Sequence, residues 1–375
     1  MKTSADVAIV GGGVIGLALA RELSSRGVDV LVVERGRTGE EASSAAAGLL
    51  SAQSDAVGPS AFVDLALESR DLYSDWTDAL EQETGLDAGW RRTGVLRCGG
   101  EQSLARFDWQ VEAGLPVERL DARGVASLSR GRAAPGIDQG FFFPADAVVH
   151  SRRLVGALRR SLEIRGVAVE EGVSATRFSI EGGVCRGLET SAGSVACGRV
   201  VDAAGAWADL DPTLSFAIPV EPVRGQIVEL ADRAALFTVL ESDEVYLVPR
   251  SDGSLLVGAT VERTGFVKEV TAAGVAGLLA AAFDLVPSLR DARVVGAWAG
   301  LRPATPDGLP LLGESPVRSL ILAAGHFRNG ILLAPLTALL VADVVTGAGS
   351  RDLSAFSPAR FAPDARALSA REVSR

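Results

Sequence analysis

The chain has 375 residues, of which 47% are hydrophobic and 22% are charged, a balance that is ordinary for a soluble globular protein of about two domains. Its formal net charge of −10 disfavours nucleic acid or an anionic membrane as the main partner, since both require a basic face. The three cysteines form no C-x-x-C pair and no signal-peptide pattern opens the chain, so we expect reduced thiols in a cytoplasmic protein.

An apolar, β-rich segment over residues 5–10 predicts a buried parallel strand. It leads into Gly11, Gly13 and Gly16 at G-x-G-x-x-G spacing, followed by an apolar helical face. In such a turn the glycines allow a tight bend, the approach of a pyrophosphate and close packing of helix on strand. A second strand ends at Glu34, whose carboxylate can accept ribose hydroxyls. The pattern therefore predicts a bound dinucleotide, either NAD or FAD, and Glu34 argues against the 2′-phosphate of NADP.

The regular alternation of strands and helices stops after the second strand, which is not typical of an NAD domain. Small residues fill 36–53 and would let the backbone pass close to something large and flat. We predict one helix over about 60–85, and an irregular region with short strand-like pieces over 89–144.

The second half of the chain again contains segments typical of helices and of a strand followed by glycine. A helix is predicted over 151–165, and a buried strand followed by glycine over 198–208. Residues 216–299 are typical of antiparallel strands separated by turns. The most apolar segment, 330–345, is too short to cross a bilayer and predicts a buried helix. Since proline is tolerated only in a first turn, we expect regular helix to begin near Pro335, after a looser turn that Asn329 could cap.

These patterns predict an α/β fold with two domains. A Rossmann-like dinucleotide domain, split in sequence, would consist of residues 1–85, 145–215 and 300–375. An α+β substrate domain with a mainly antiparallel sheet would consist of residues 86–144 and 216–299.

Six segments, spread in order over nearly the whole chain, carry a more specific resemblance. They are VGGGVIGLALA, EASSAAAGLL, EPVRGQIVEL, YLVPRSDGSLLVGATVE, WAGLRPATPDGLPLLG and GHFRNGILLAP. Together they resemble the glycine oxidases of the D-amino-acid oxidase and sarcosine oxidase superfamily, flavoenzymes that feed thiamine thiazole synthesis. The resemblance implies FAD rather than NAD, a small amino-acid substrate with oxygen, and a homo-oligomer, often a tetramer. The sarcosine oxidase branch attaches its flavin to a cysteine near a TPDG-like segment; GLRPATPDGLP has none, so non-covalent FAD is expected.

The glycine motif and the resemblance together assign residues to the cofactor. The turn 326–332 is implied to wrap the pyrimidine side of the isoalloxazine ring, and Val173 to lie by the adenine. The cofactor-binding residues so assigned are Gly11, Gly13, Val14, Ile15, Gly16, Glu34, Arg35, Ala42, Ser43, Ala47, Gly48, Leu49, Val173, His326, Phe327, Arg328, Asn329, Gly330, Ile331 and Leu332.

The resemblance also implies that Arg302, Tyr246 and Arg328 face the substrate. A guanidinium fork suits a carboxylate because it offers two parallel hydrogen bonds, and a tyrosine hydroxyl can add a third. Local sequence alone leaves other interpretations open: a structural ion pair for Arg302, a half-buried strand aromatic for Tyr246, and a position behind the substrate for Arg328. We expect His326 to position the backbone of its turn and His150 to be structural.

The implied reaction is oxidation of glycine, and of small secondary amines or D-amino acids, to glyoxylate, ammonia and hydrogen peroxide. It is formally a hydride transfer from Cα to flavin N5, so the protein supplies orientation and electrostatics, and no metal site is expected. The alternatives are a related amino-acid or sarcosine-type oxidase, a dehydrogenase with another electron acceptor, a flavin-binding module without activity and, last, an NAD-linked dehydrogenase.

Three positions bear on the choice of substrate. Leu49 and Val261 stand where relatives often carry methionine, and the smaller Val261 could widen the pocket. Glu244, two residues before Tyr246, would either repel acidic substrates or attract an amine. The sequence therefore predicts the reaction type more firmly than the choice among glycine, sarcosine and D-alanine.

Overall fold

The computed structural model describes residues 2–231, 236–349 and 351–361. Within these ranges the α-helices are α1 Val14–Ser25, α2 Ala42–Ala45, α3 Ala61–Asp71, α4 Tyr73–Thr84, α5 Glu101–Leu104, α6 Asp108–Glu112, α7 Ala122–Leu128, α8 Ser151–Ile164, α9 Ala272–Leu285 and α10 Gly330–Thr346. The strands are β1 Ser4–Val10, β2 Val30–Glu34, β3 Leu49–Leu50, β4 Val95–Cys98, β5 Glu118–Leu120, β6 Gly140–Phe143, β7 Ala147–Val148, β8 Ala168–Glu171, β9 Ala175–Glu181, β10 Val184–Thr190, β11 Gly193–Asp202, β12 Glu221–Ala231, β13 Val239–Glu241, β14 Tyr246–Pro249, β15 Ser254–Gly258, β16 Arg293–Ala304, β17 Leu311–Glu314 and β18 Leu320–Ala324.

The first sheet has the order β17-β18-β11-β1-β2-β8. From β18 to β8 every pairing is parallel, whereas β17 is antiparallel and β9 and β10 extend antiparallel from β11. Because parallel strands end at one edge, the carboxyl ends of β1, β2, β11 and β18 lie together, where ligands bind in open α/β sheets. The predicted Rossmann-like α/β core is confirmed.

The second sheet has the order β16-β12-β15-β14-β13-β4-β6-β5. Every pairing in it is antiparallel except that of β13 with β4. The predicted mainly antiparallel sheet is thus confirmed. Its strands come from the segments 86–144 and 216–299, but β16 continues to Ala304, past the expected boundary at residue 300. The assignment of these segments to two domains stays a prediction.

The core of the first sheet is built against α1. Ile9 on β1 and Leu17, Leu19 and Leu23 on α1 are fully buried. Each such side chain contributes about 1.5–3 kcal/mol when it leaves water. This packing fixes the glycine turn between β1 and α1, and with it the edge of the sheet where the strands end.

The segment predicted as one helix over about 60–85 forms two helices, so that prediction is wrong. Ser60 caps α3, accepting a hydrogen bond from the Val63 N–H at 3.3 Å, and Leu72 stands between α3 and α4. The two helices turn Ser69 and Tyr73 toward α10, where both are fully buried. Their hydroxyls donate to backbone carbonyls of α10, so both helices are held against it.

The prediction that regular helix begins near Pro335 is also wrong, because α10 begins at Gly330 and contains that proline. Asn329 is its N-cap residue but makes no side-chain cap hydrogen bond. A proline has no N–H, so the carbonyl of Ile331, four residues earlier, is left without its helical donor. The Tyr73 hydroxyl donates to that carbonyl instead. A buried side chain from another helix thus makes the internal proline tolerable.

None of the described helices is both long enough and apolar enough to cross a membrane. Cys98, Cys185 and Cys197 are free thiols, in agreement with the expectation from their spacing.

Candidate functional site

The turn between β1 and α1 cannot accept side chains at two of its glycines. Gly11 has a φ of +105°, and a β-carbon there would lie 2.4 Å from the Ala203 carbonyl oxygen. A β-carbon on Gly16 would lie 2.0 Å from the Gly11 carbonyl oxygen. The predicted motif is therefore folded as a tight turn with helix and strand in close contact.

The amino end of α1 lies next to the small-residue run. Gly13 caps the helix, and Ser43 on α2 accepts a hydrogen bond from the Val14 N–H through its Oγ at 2.9 Å. Other N–H groups of this first turn have no partner inside the helix, and they carry the positive end of its dipole. The two predicted cofactor segments thus meet at a place suited to an anionic group such as a pyrophosphate.

Glu34 at the end of β2 accepts hydrogen bonds from the neighbouring backbone. It is 9% exposed, and its carboxylate accepts hydrogen bonds from the Gly12 N–H at 2.7 Å and the Gly36 N–H at 2.8 Å. Its carbonyl accepts from the N–H of Val173, which places that residue beside the strand end. A carboxylate has about four lone-pair sites, so ribose hydroxyls could still be accepted.

A cavity of about 1130 Å³, including the space at its mouth, is lined by residues of both sheets. The residues assigned to the cofactor that line it are Gly13, Val14, Ile15, Ala42, Ser43, Ala47, Gly48, Leu49, His326, Phe327, Arg328, Asn329, Gly330 and Ile331. Tyr246 and Arg302 line it too. Segments that are distant in sequence are therefore brought to one cavity.

The other residues assigned to the cofactor lie outside the lining of this cavity. They are Gly11, Gly16, Glu34, Arg35, Val173 and Leu332. The Arg35 guanidinium is engaged elsewhere: it lies 3.4 Å from the ring centroid of Trp207 and donates to Glu41 at 2.9 Å. The Leu332 carbonyl accepts from the Ser69 hydroxyl at 2.7 Å, so this residue also has a structural role.

The lining fits a flavin dinucleotide. Much of it is backbone or small side chains, including Gly225 and Gly300 of the second sheet. The hydroxyl of Ser51 is buried and has no hydrogen-bond partner among the described residues, although it lines the cavity. FAD would be held by the glycine turn, the small-residue run and the turn before α10.

Sequence reasoning missed several lining residues. They are Ala45, Ala46, Ser51, Asp55, Ala203, Gly205, Gly225, Ile227, Gly300, Pro303, Ala323 and Ala324. A signal existed for two groups of them, because Ala203 and Gly205 belong to the strand–glycine pattern at 198–208, and Ala45 and Ala46 to the small-residue run. Asp55 had no such signal.

Arg302 lies over a glycine floor at the edge of the cavity. A β-carbon at Gly225 would lie 2.3 Å from the guanidinium atoms of Arg302. The guanidinium donates to the Thr260 carbonyl at 2.9 Å and lies 3.5 Å from the Arg224 carbonyl. No described carboxylate lies within ion-pair distance of it, and burial lowers its pKa from the ordinary value. The alternative of a structural ion pair is therefore not what the structure contains.

Tyr246 meets the same guanidinium from the neighbouring strands. Its ring lies over Gly258, where a β-carbon would approach the hydroxyl to 2.5 Å, and the positive charge of Arg302 acts on this hydroxyl. Burial raises the pKa of this tyrosine, while Arg302 and Arg328 act in the opposite direction. The hydroxyl therefore stays protonated and can donate a hydrogen bond near neutral pH.

Arg328 approaches the pair from the turn before α10. It lies 3.8 Å from the Asp55 carboxylate, its side chain is 43% exposed, and Asp55 raises its pKa further. Arg328 lines the cavity but already has an acidic neighbour, unlike Arg302. It is therefore a weaker candidate for direct contact with a substrate carboxylate.

The two histidines have different surroundings. His326 is buried and its Nε2 lies 3.1 Å from the Thr337 hydroxyl, and burial lowers its pKa to about 3. His150 caps α8 through a 3.5 Å contact with the Arg153 N–H, and its pKa is lowered to about 4, mainly by burial. Both are therefore neutral near pH 7, in keeping with positioning and structural roles. No group of three or more potential metal ligands lies within the described part of the chain.

Comparison with known proteins places this geometry in a family. The model of the family described as FAD dependent oxidoreductase matches residues 6–344. The chain is 39% identical to the glycine oxidase of Geobacillus kaustophilus over 95% of this chain and 96% of that protein. It is 35% identical to the glycine oxidase of Pseudomonas putida over 97% of this chain and 99% of that protein.

Other relatives are longer than this chain. It is 38% identical to the bifunctional protein ThiO/ThiG of Synechocystis sp. over 96% of its own length, but spans only 55% of that protein. Among solved structures, the crystal structure of glycine oxidase from Geobacillus kaustophilus superposes with a TM-score of 0.92 at 37% identity, covering 96% of this chain and all of that one. The family model, the relatives and the fold agree, and the chain belongs to the FAD-dependent oxidoreductase family.

Proposed function

We propose that this protein is a flavin-dependent amino-acid oxidase that converts glycine, and small secondary amines or D-amino acids, to glyoxylate or the corresponding oxo acid with ammonia or amine and hydrogen peroxide. The observation that carries the proposal is the half-buried Arg302–Tyr246 pair at the edge of the FAD cavity, with no described carboxylate in ion-pair contact with Arg302. Its relatives named glycine oxidase support the choice of substrate.

The pair is suited to one end of an amino acid. The Arg302 guanidinium would bind the substrate carboxylate through its fork, and the Tyr246 hydroxyl would donate to the same group. Each charge-assisted hydrogen bond contributes roughly 1.5–3 kcal/mol. Because both side chains rest on glycines, their positions are set before the substrate arrives, which lowers the cost of orienting it.

When bound, FAD supplies the acceptor for the hydride that leaves the substrate Cα. The Arg302–Tyr246 pair, which we call the clamp, contributes orientation, since it fixes where Cα can lie relative to the cavity. No protein acid or base is needed if the amine arrives neutral.

The test uses the purified protein with its flavin. We would record the visible spectrum, add glycine without oxygen, and follow the flavin band. Bleaching by glycine, followed by peroxide when air returns, is the expected result. A band that glycine leaves unchanged, but sarcosine or D-alanine bleaches, would move the substrate within the same class. A band that no small amine changes would overturn the proposal.

We further propose that the enzyme acts as a homo-oligomer, a tetramer by its resemblance, in the cytoplasm. Sedimentation of the purified holoprotein at several concentrations would test the assembly.

A further inference from the structure

A second cavity, which we call the side chamber, opens beside the clamp. It has a volume of about 1040 Å³ including its open mouth, and it shares Asp55, Tyr246, Arg302 and Arg328 with the lining of the FAD cavity. Its remaining lining is largely polar and charged, and includes Glu241. A substrate held by Arg302 would therefore have space next to it that glycine does not fill.

Glu241 is placed in this chamber by the register of the second sheet. It is directly opposite Tyr246 in the antiparallel pairing of β13 with β14, and its partner on the other side is Arg97 in β4. Directly paired residues point to the same face of a sheet, with β-carbons about 4.5–5.5 Å apart. Glu241 and the clamp tyrosine therefore share one face, the face that lines both cavities.

The carboxyl group of Glu241 is buried but poorly satisfied. Its side chain is 4% exposed, and Oε2 receives one long hydrogen bond from Arg97 Nη1 at 3.4 Å. Oε1 receives no hydrogen bond from any residue that the structure describes. Oε1 can therefore accept a hydrogen bond from a ligand in the chamber, and a bond between two charged groups is stronger than one between neutral groups.

Most of the other charged groups of the chamber already have partners. Asp243 accepts hydrogen bonds from Arg97 at 2.7 Å, from Arg106 at 2.7 Å and from the Ser103 hydroxyl. Asp55 lies against Arg328. With Arg302 assigned to the substrate carboxylate and Glu244 exposed to solvent, Glu241 is the buried acceptor available to a second group on the substrate.

We propose that the side chamber is a subsite for the second, cationic group of amino-acid substrates longer than glycine, and that Glu241 accepts its hydrogen bond. The proposal rests on the proposed function, because the clamp must hold the carboxylate end. An ammonium group donates three hydrogen bonds and carries the charge that a carboxylate in this position favours. A second carboxylate would meet Glu241 and Asp55 and be disfavoured.

The surroundings of Glu241 make this preference depend on pH. Burial raises its pKa to about 7, with Asp55 and Asp146 acting in the same direction and Arg97 and Arg328 against it. The carboxylate form, and with it the preference for a cation, is present above that pKa and lost as the pH falls through it. An alkyl ammonium keeps its charge throughout, since its pKa is near 10.

The experiment measures binding of non-oxidisable acids to the FAD-loaded enzyme. Matched ligands are 5-aminopentanoate, pentanoate and glutarate, followed by 6-aminohexanoate, hexanoate and adipate. Dissociation constants come from titration calorimetry at about pH 8.5 and about pH 5.5. At the higher pH we expect the amino acid of each set to bind about tenfold more tightly than the neutral acid, with the diacid weakest. At the lower pH, and in Glu241→Gln, we expect that tenfold ratio to fall close to one.

Glu244→Gln removes an acid at the exposed side of the chamber and is the matched comparison, with a smaller expected change because water screens that position. Equal dissociation constants for the three ligands of a set at both pH values would overturn the proposed subsite. The same ratio in Glu241→Gln as in the natural protein would also overturn it. If none of the six ligands binds while glycine still bleaches the flavin, the subsite proposal is overturned and the proposed function stands. If none of the six ligands binds and no small amine changes the flavin band, the proposed function is overturned as well.

Discussion

The guanidinium of Arg302 lies over Gly225, at a position where any β-carbon on residue 225 would be 2.3 Å from its atoms. The two residues are on adjacent strands, β16 and β12, so the glycine serves as the floor on which the clamp rests. Arg302 and Gly225 are thus coupled by sterics rather than by a hydrogen bond, and this coupling can be tested.

Replacing that glycine should displace the clamp. In Gly225→Ala we expect the KM for glycine to rise about tenfold or more, equivalent to about 1.4 kcal/mol, because the guanidinium must move from its position. Steady-state kinetics of the flavin-loaded protein measures this. Gly296→Ala on the neighbouring strand is the control, since a β-carbon there meets no atom within 4 Å. Equal KM values in the two variants would contradict the steric account.

We expect kcat/KM for glycine to depend on the planar fork of the Arg302 guanidinium and not on its charge alone. We expect Arg302→Lys to keep FAD but lose about tenfold or more in kcat/KM for glycine, and Arg302→Ala to lose about a hundredfold, because each charge-assisted bond contributes roughly 1.5–3 kcal/mol. The flavin spectrum establishes that cofactor is retained. Arg186→Ala, at an exposed position of β10, is the control. Unchanged kinetics in Arg302→Ala would remove this residue from the clamp.

The internal proline of α10 predicts a double-mutant result. Tyr73→Phe should lower the free energy of unfolding by about 1–3 kcal/mol, because the Ile331 carbonyl then has no donor in a buried site. In the Tyr73→Phe/Pro335→Ala protein the alanine N–H can serve that carbonyl, and we expect part of the loss to be recovered. Denaturant midpoints of the four proteins measure the coupling. Simple additivity of the two changes would show that the hydroxyl does not substitute for the missing N–H.

Asp202 should make stability fall as the pH rises. It is fully buried at the end of β11, its Oδ2 has no partner among the described residues, and burial raises its pKa to about 8. The unfolded carboxyl ionises near pH 4, so between about pH 4 and about pH 8 the native state binds the extra proton. Stability from this group therefore decreases by about 1.4 kcal/mol per pH unit across that window.

Asp202→Asn removes this dependence while keeping an acceptor for the Ala204 N–H, which Oδ1 now bonds at 2.9 Å. We expect the melting temperature of the variant, relative to that of the natural protein, to increase as the pH rises toward 8. Asp138→Asn, at an exposed position, serves as the control. A constant difference across the window would mean that Asp202 is ionised in the folded protein.

The parts of the site that sequence could predict are those built by neighbours in the chain. The strand, the glycine turn and α1 are local, so the spacing of Gly11, Gly13 and Gly16 is enough to indicate a dinucleotide. The small residues that include Ala42 and Gly48 indicate the lining of the cavity for the same reason, since a close approach to backbone requires small side chains. The resemblance in six segments supplies the choice of FAD.

The clamp and its chamber depend on contacts between distant segments. Arg302 was predicted from the resemblance, but its lack of an acidic partner depends on which strands flank β16. Asp55 and Glu241 were not predicted, because neither belongs to a motif and they approach Arg328 only through the fold. The prediction for the start of α10 failed for a similar reason, since the Tyr73 hydroxyl reaches the Ile331 carbonyl from another helix.

The sequence by itself thus determined the cofactor class and the elements whose hydrogen bonds and apolar faces are local. Only the tertiary structure decided which side chains surround the substrate position and which of them lack partners. The reason is that sheet register is a long-range property: pairing Glu241 with Tyr246 and Arg97 puts three charged or polar residues on one face, although they come from three strands, with Arg97 more than 140 residues away in the chain.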